Sequence, residues 1–82
     1  MSTTEESEWR AANPSELGRA LALARRSKGF KQETLAVRLG CQRTYLTRME
    51  AGLSTAQIQR TFAFLRELGF ELAVVQRGST HD

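Results

Sequence analysis

The order of apolar and polar residues along the chain predicts four helices separated by short turns. The first begins at residues 13–16, Asn-Pro-Ser-Glu, where Asn can cap the helix, Pro suits its first turn and Glu can complete a capping box. A second helix is predicted over about residues 32–39 and a third over about 43–52. A fourth is opened by a Ser54 cap and runs through Leu68. A glycine ends each of the four segments.

The core is predicted from the apolar residues that recur on one side of each helix. These residues are Leu17, Ala20, Leu21, Ala24, Leu35, Ala36, Leu39, Leu46 and Met49. The fourth helix has an unusually wide apolar face, since Phe64 and Leu68 lie beside the stripe that contains Phe62. A face this wide favours burial against a second molecule.

Residues 70–77 change to a period of two, which is typical of a β-strand. No other segment shows a strand pattern, and a single strand cannot satisfy its backbone hydrogen bonds alone. We therefore expect the strand to pair antiparallel with its own copy across a two-fold axis, the alternative being that it packs as an extended tail. The expected dimer interface consists of apolar residues of the fourth helix and the strand: Phe62, Phe64, Phe70, Leu72 and Val74.

The length of 82 residues allows one domain. We divide the chain into a flexible acidic leader (residues 1–12), a helical domain (13–69), a dimerisation strand (70–77) and a tail (78–82). Trp9 is the exception in the polar leader, and we expect it to fold back onto the domain, although it could instead anchor a partner.

Composition removes several classes of function. A lone cysteine, Cys41, excludes an intramolecular disulfide, and a lone histidine, His81, leaves no zinc ligand set. No nucleophile–base pair or acidic cluster converges, so we expect no enzyme activity and no metal or other cofactor. No apolar stretch approaches the roughly 18 residues that span a bilayer, and the acidic start is unlike a secretory signal. We expect a soluble cytoplasmic protein, nucleoid-associated if it binds DNA.

The charge distribution points to a phosphate-bearing partner. The whole chain carries a net charge of +3, but residues 17–66 alone carry ten basic and two acidic side chains, a net charge of +8 between acidic ends. Arginine suits phosphate because its guanidinium binds bidentately and stays protonated. On charge alone, a solvated arginine-rich surface is an equally good interpretation.

The sequences QETLA at 32–36, LG at 39–40 and LTRMEAG at 46–52 carry a family resemblance. In this order and spacing they resemble the Cro- and repressor-like (xenobiotic-response-element) helix-turn-helix family. The resemblance implies an all-α, lambda-repressor-like bundle of four to five helices, to which we add the one C-terminal β-strand that the residue pattern predicts to pair across a dimer. It also implies an ion pair between Arg25 and Glu50 and a third helix that enters the major groove of DNA.

Carried over residue by residue, the resemblance implies two sets of DNA contacts. The residues that would contact base edges are Gln42, Arg43, Thr44 and Arg48. The residues that would contact phosphates are Gln32, Lys31, Thr47 and Tyr45, although Tyr45 could equally pack inside. Arginine can bind guanine bidentately, and threonine offers a methyl group to thymine. The family often has Ser or Thr at the two helix starts where this sequence has Lys31 and Gln42, and both of these are poor helix caps. Cys41 follows the turn glycine at a position that is usually apolar in the family, so the resemblance implies a buried structural thiol there.

The sequence TFAFL at 61–65, with Leu68 and the strand at 70–75, is similar to the HipB-type antitoxins. That likeness implies a dimeric repressor of its own operon that binds an inverted-repeat operator and a HipA-like kinase toxin. The first alternative is a protein-interaction module, toxin-neutralising or adaptor, with little or no DNA binding. The second is an RNA-binding basic bundle, which is disfavoured because the aromatic residues occupy apolar helix faces rather than stacking platforms.

Overall fold

Six elements follow one another in residues 8–77, the part of the chain that this computed structural model describes. In chain order they are β1 (Glu8–Ala11), α1 (Pro14–Ser27), α2 (Gln32–Leu39), α3 (Arg43–Glu50), α4 (Ala56–Leu68) and β2 (Leu72–Val75). The described part thus contains four helices and a small sheet, as expected for a helix-turn-helix bundle. No helix among these residues is long and apolar enough to cross a membrane. The tail at 78–82 with His81, and residues 1–7 of the leader, lie outside the described residues.

The helix starts follow local side-chain chemistry. Asn13 is the N-cap of α1, and its Oδ1 accepts from the Glu16 amide at 2.8 Å, which is half of the capping box that the sequence predicts. The other half is displaced by one residue, because Glu16 Oε1 accepts at 2.7 Å from the amide of Ala12, the residue before the cap. Helix α4 differs, because Thr55 and not Ser54 is its N-cap and accepts from the Ile58 amide. The predicted Ser54 cap is therefore wrong by one residue.

The core is built mainly from small side chains. The buried apolar residues are Ala11, Ala20, Ala22, Ala36, Leu46 and Phe62. Small side chains let the elements approach closely, and Leu46 and Phe62 are the two large side chains buried with them in the described residues. Leu39 was expected in this core, but 62% of it is exposed, because it is the last residue of α2 and lies at the turn.

Helix α1 and the end of α3 are in near backbone contact at Gly18. A Cβ atom at this position would lie 2.6 Å from the carbonyl oxygen of Glu50, 2.7 Å from that of Met49 and 2.8 Å from the amide nitrogen of Gly52. Backbone atoms cannot rotate away as a flexible side chain can, so only glycine permits this distance between the two helices. The position of α3 relative to α1 therefore depends on the missing side chain.

The sheet corrects the expectation that the C-terminal strand has no partner in its own chain. β2 pairs antiparallel with β1, with Trp9 opposite Val74 and Ala11 opposite Leu72. Residues 8–11 are thus part of the fold and not of a flexible leader, and Trp9 is half-buried on the domain. On the other side of the strands, Arg10 Nη1 donates to Glu71 Oε2 at 3.0 Å.

The expected dimer-interface residues separate into three groups. Phe62 is only 2% exposed and fills the core of its own chain, so its expected role at a dimer interface is wrong. Leu72 and Val74 are half-buried on the side of the sheet that packs on α1. Phe64 and Phe70 are 65% and 68% exposed and lie on the surface.

We predict that Gly18→Ala destabilises the protein by about 1–3 kcal/mol, because α1 must move away from the end of α3. In an open helix the same change would stabilise by about 0.5–1 kcal/mol, so the sign of the effect is diagnostic. The measurement is urea unfolding followed by circular dichroism, with Arg19→Ala at the adjacent exposed position as the control. A Gly18→Ala variant as stable as the wild type would contradict the close approach.

Candidate nucleic-acid interface

Helices α2 and α3 are joined by a three-residue turn that begins at a glycine. Gly40 has φ 72°, a left-handed conformation that glycine adopts without strain. Its amide donates to the Val37 carbonyl at 3.1 Å, and the Cys41 amide donates to the Ala36 carbonyl at 3.0 Å. Cys41 is half-buried in this turn and is not the fully buried thiol that the sequence predicts. The turn ends α2 and fixes the direction in which α3 starts.

One side of α3 is buried and the other presents polar side chains. Leu46 is 4% exposed and anchors the helix on the core. At about 100° per residue, the side chains at 43, 44, 47 and 48 fall within an arc of about 140° that does not include Leu46. All four are exposed, and we call this set the α3 polar face: Arg43, Thr44, Thr47 and Arg48. Tyr45 is 59% exposed beside it, so it does not pack inside.

The structure brings Arg25 of α1 and Glu50 of α3 together in a bidentate ion pair. Arg25 Nε donates to Glu50 Oε2 at 2.7 Å and Arg25 Nη2 donates to Glu50 Oε1 at 2.9 Å. The remaining guanidinium nitrogen, Nη1, donates to the Phe30 carbonyl at 2.7 Å. The two side chains are only 9% and 10% exposed. The pair therefore ties the last turn of α1 to the end of α3 and to the loop before α2.

Gln32, the first residue of α2, extends this pair into a network. Its Nε2 donates to Glu50 Oε1 at 2.8 Å, while its Oε1 accepts from Thr47 Oγ1 at 3.0 Å and from Arg43 Nε at 3.3 Å. The sequence predicts Gln32 and Thr47 only as separate phosphate ligands. Their shared role in orienting Arg43 was missed, because residue spacing does not show which polar side chains on two helices meet.

The electrostatics of the network favour its charged form. Hydrogen bonding to Arg25 lowers the pKa of the Glu50 carboxyl, against the opposing effect of burial, and the Gln32 amide lowers it further. The same pairing raises the pKa of Arg25 above its already high value. Glu50 is therefore ionised at neutral pH and keeps both helices attached to the guanidinium.

The starts of α2 and α3 leave their first-turn amides without a side-chain cap. Lys31 and Gln42 occupy the two N-cap positions, and neither side chain makes a capping hydrogen bond. Uncapped amides and the positive end of the helix dipole suit a phosphate oxygen. Lys31 and Gln42 are both exposed, so the structure leaves both predicted DNA ligands accessible.

One comparison with known proteins, with models of protein families, agrees with this geometry. The model of a helix-turn-helix domain family matches residues 16–77, which include α2, α3, α4, β2 and all but the first two residues of α1. The chain therefore belongs to this helix-turn-helix family, which is of the XRE/Cro-like type. A domain of this type suggests a DNA-binding regulator. A search of curated proteins and a search of solved structures each found no match.

We predict that Glu50→Gln lowers the free energy of unfolding by about 3 kcal/mol at neutral pH, because Arg25 loses its charge partner while still largely buried. Glu71→Gln, which breaks the exposed pair with Arg10, is the matched control and should cost about 0–1 kcal/mol. The measurement is the urea midpoint of each variant. Equal small losses would contradict a structural role for the buried pair.

The same variant tests the pKa of Glu50. A carboxyl whose pKa is lower in the folded state contributes stability above its unfolded value, and this contribution is lost as the pH falls. The difference in stability between wild type and Glu50→Gln should be largest at neutral pH and shrink as the pH falls below the ordinary value of 4.5. A difference that stays constant down to about pH 3 would contradict the lowered pKa.

Proposed function

We propose that the protein is a sequence-specific transcriptional repressor that reads double-stranded DNA with the α3 polar face, in the cytoplasm and on the nucleoid. The observation that carries the proposal is that all four side chains of this face are exposed, while α3 is fixed by the Arg25–Glu50–Gln32 network. The major groove of DNA, about 12 Å wide, can accommodate a short helix of this kind, with rigid support and a polar outer surface.

The proposed contacts with bases and with phosphates come from different parts of the motif: the base contacts from α3 and a phosphate contact from the start of α2. Within residues 8–77, Arg43 donates a side-chain hydrogen bond only from its Nε, to Gln32. Both of its Nη groups are therefore available to donate to the edge of a guanine base. Thr44 and Arg48 lie along the same exposed arc and are the other proposed base contacts, with Gln42 just ahead of them. Lys31 lies at the uncapped start of α2, where a cation and free amides can together position a phosphate.

We predict that two variants separate base reading from phosphate binding. Arg43→Ala should weaken binding to the cognate duplex by about 1–3 kcal/mol and relax the preference at one base pair. Lys31→Ala should weaken binding to cognate and scrambled duplexes alike and reduce the salt slope by about one unit per lost phosphate contact. The measurement is DNA binding across a salt series, with promoter DNA from the protein's own gene as the cognate duplex.

Arg66→Ala is the charge-matched control, since Arg66 lies in the last turn of α4 and is not part of the α3 polar face. If Arg43→Ala weakened both duplexes equally, α3 would be a phosphate-binding surface and not a base reader. If the wild type showed no salt-dependent DNA binding at all, the alternative of a protein-interaction module would replace the proposal.

The repressor is proposed to act as a homodimer. Phe64, Leu68 and Phe70 are each more than half exposed, and the Phe70 amide donates to the Leu65 carbonyl at 2.8 Å, which keeps Phe70 beside the last turn of α4. β2 pairs with β1 on one edge, and within residues 8–77 no strand covers its other edge. Antiparallel pairing of two β2 strands would satisfy that edge and form a four-stranded sheet, since a two-stranded sheet is marginal alone.

A two-fold dimer would present two α3 helices to the same side of the duplex. The operator should then be an inverted repeat with half-sites about 34–36 Å apart, one helical turn. The expected symmetry of the operator therefore depends on the proposed dimer.

We predict that Phe64→Ser combined with Phe70→Ser produces a monomer, because the exposed apolar area that supports the dimer is lost. Val37→Ser is the matched control, since Val37 is a 78% exposed apolar residue on α2. Analytical ultracentrifugation measures the association state. A double variant that stays dimeric, or a wild type that is monomeric at high concentration, would contradict the proposed interface.

We further propose that the repressor is a HipB-like antitoxin. The support is the sequence similarity at residues 61–65 and in the C-terminal strand. The intrachain β1–β2 pairing adds a strand that the similarity did not lead us to expect. The test is to mix the purified protein with the product of an adjacent kinase-like gene. A stable stoichiometric complex is expected, and the absence of such a gene or complex would leave a repressor without a toxin.

A further inference from the structure

A cleft lies between the last turns of α1 and the two-stranded sheet, away from the α3 polar face. Its volume is about 320 Å³, and its walls are mostly apolar, with Trp9 from β1, Ala24 from α1 and Val74 from β2. This volume lies at the lower end of the range of small-molecule sites. Its lining includes no residue of α2 or α3. The DNA-binding proposal therefore leaves this cleft without a role.

Two cations, Lys28 and Arg77, also line the cleft. Within residues 8–77, the arginine–carboxylate pairs are made by Arg10 and Arg25, so neither cation of the cleft is neutralised there. Glu8 and Glu71 are the acidic residues nearest along the strands, and Arg10 binds both. Within the described residues, the cleft therefore combines an aromatic and aliphatic interior with two cations that no carboxylate there pairs with.

We propose that this cleft binds a small aromatic carboxylate. The ring would lie against the Trp9 indole and the apolar side chains, where aromatic contact adds to the burial of area. The carboxylate would be bound by Arg77 and Lys28, which offer a bidentate fork and a point charge. A neutral aromatic molecule leaves the two cations unused, and a small anion without a ring leaves the apolar walls exposed, so the cleft selects for both features in one molecule.

Trp9 is the single tryptophan of the chain, so its fluorescence reports directly on the cleft. The probe is phenylacetate, the neutral isostere is phenylacetamide, and the anion without a ring is acetate. For a molecule of this size we expect saturable quenching by phenylacetate with a dissociation constant of about 1–10 mM. Phenylacetamide and acetate should each bind at least about 3-fold more weakly.

Lys28→Ala and Arg77→Ala should each weaken phenylacetate binding by about 3- to 10-fold. Arg66→Ala removes an equal charge outside the cleft and should leave the dissociation constant unchanged. Both cleft cations are exposed, so these variants should fold, which circular dichroism checks. Equal binding of phenylacetate and phenylacetamide, or equal effects of all three variants, would overturn the proposal.

Amide chemical shifts supply a second measurement that does not depend on any variant. Titration of the wild type with phenylacetate should shift the amides of Trp9, Ala24 and Val74 along one saturable curve. The α3 amides should not follow that curve, because α3 is outside the cleft. Shifts centred on α3, or no saturable shift, would overturn the site even if the protein binds DNA as proposed. The proposed DNA binding is tested separately, by the measurement of DNA binding across a salt series.

Discussion

The bidentate ion pair between Arg25 and Glu50 is the interaction on which the position of α3 depends. Helix α3 has eight residues, too few to be stable alone in water, so its orientation must come from tertiary contacts. The guanidinium of Arg25 reaches the end of α3 and the loop before α2, and Gln32 joins the start of α2 to the same carboxylate. Three helices are thus held at one point.

This pair is nearly buried, and burial of charge costs free energy unless every polar group is satisfied. Arg25 Nε and both of its terminal nitrogens donate to oxygen, and both Glu50 oxygens accept. The network is therefore well suited to set geometry, whatever its net contribution to stability. Its outer members, Thr47 and Arg43, carry that geometry to the polar face that we propose reads DNA.

The helices could be predicted from the sequence because their signals are local. The Asn13 cap, the apolar repeats and the glycines that follow the helices each act within a few residues. The strand β1 was missed because Glu8–Ala11 is short, half polar and lies in an acidic leader, although Trp9 and Ala11 do alternate with two charged residues. The expected locations of Phe62 and Leu39 were wrong because the apolar period shows which residues share one face of a helix, but not what packs against that face. The Gln32 network depends on how two helices cross, which no local pattern contains.

The central claim is that the network presents α3, and not another surface, to DNA. The most direct measurement is the change in backbone amide chemical shifts when the protein is titrated with duplex promoter DNA from its own gene. The account predicts the largest changes over Arg43–Arg48 and in the first turn of α2. Changes confined to α4 and β2, with α3 unaffected, would contradict it.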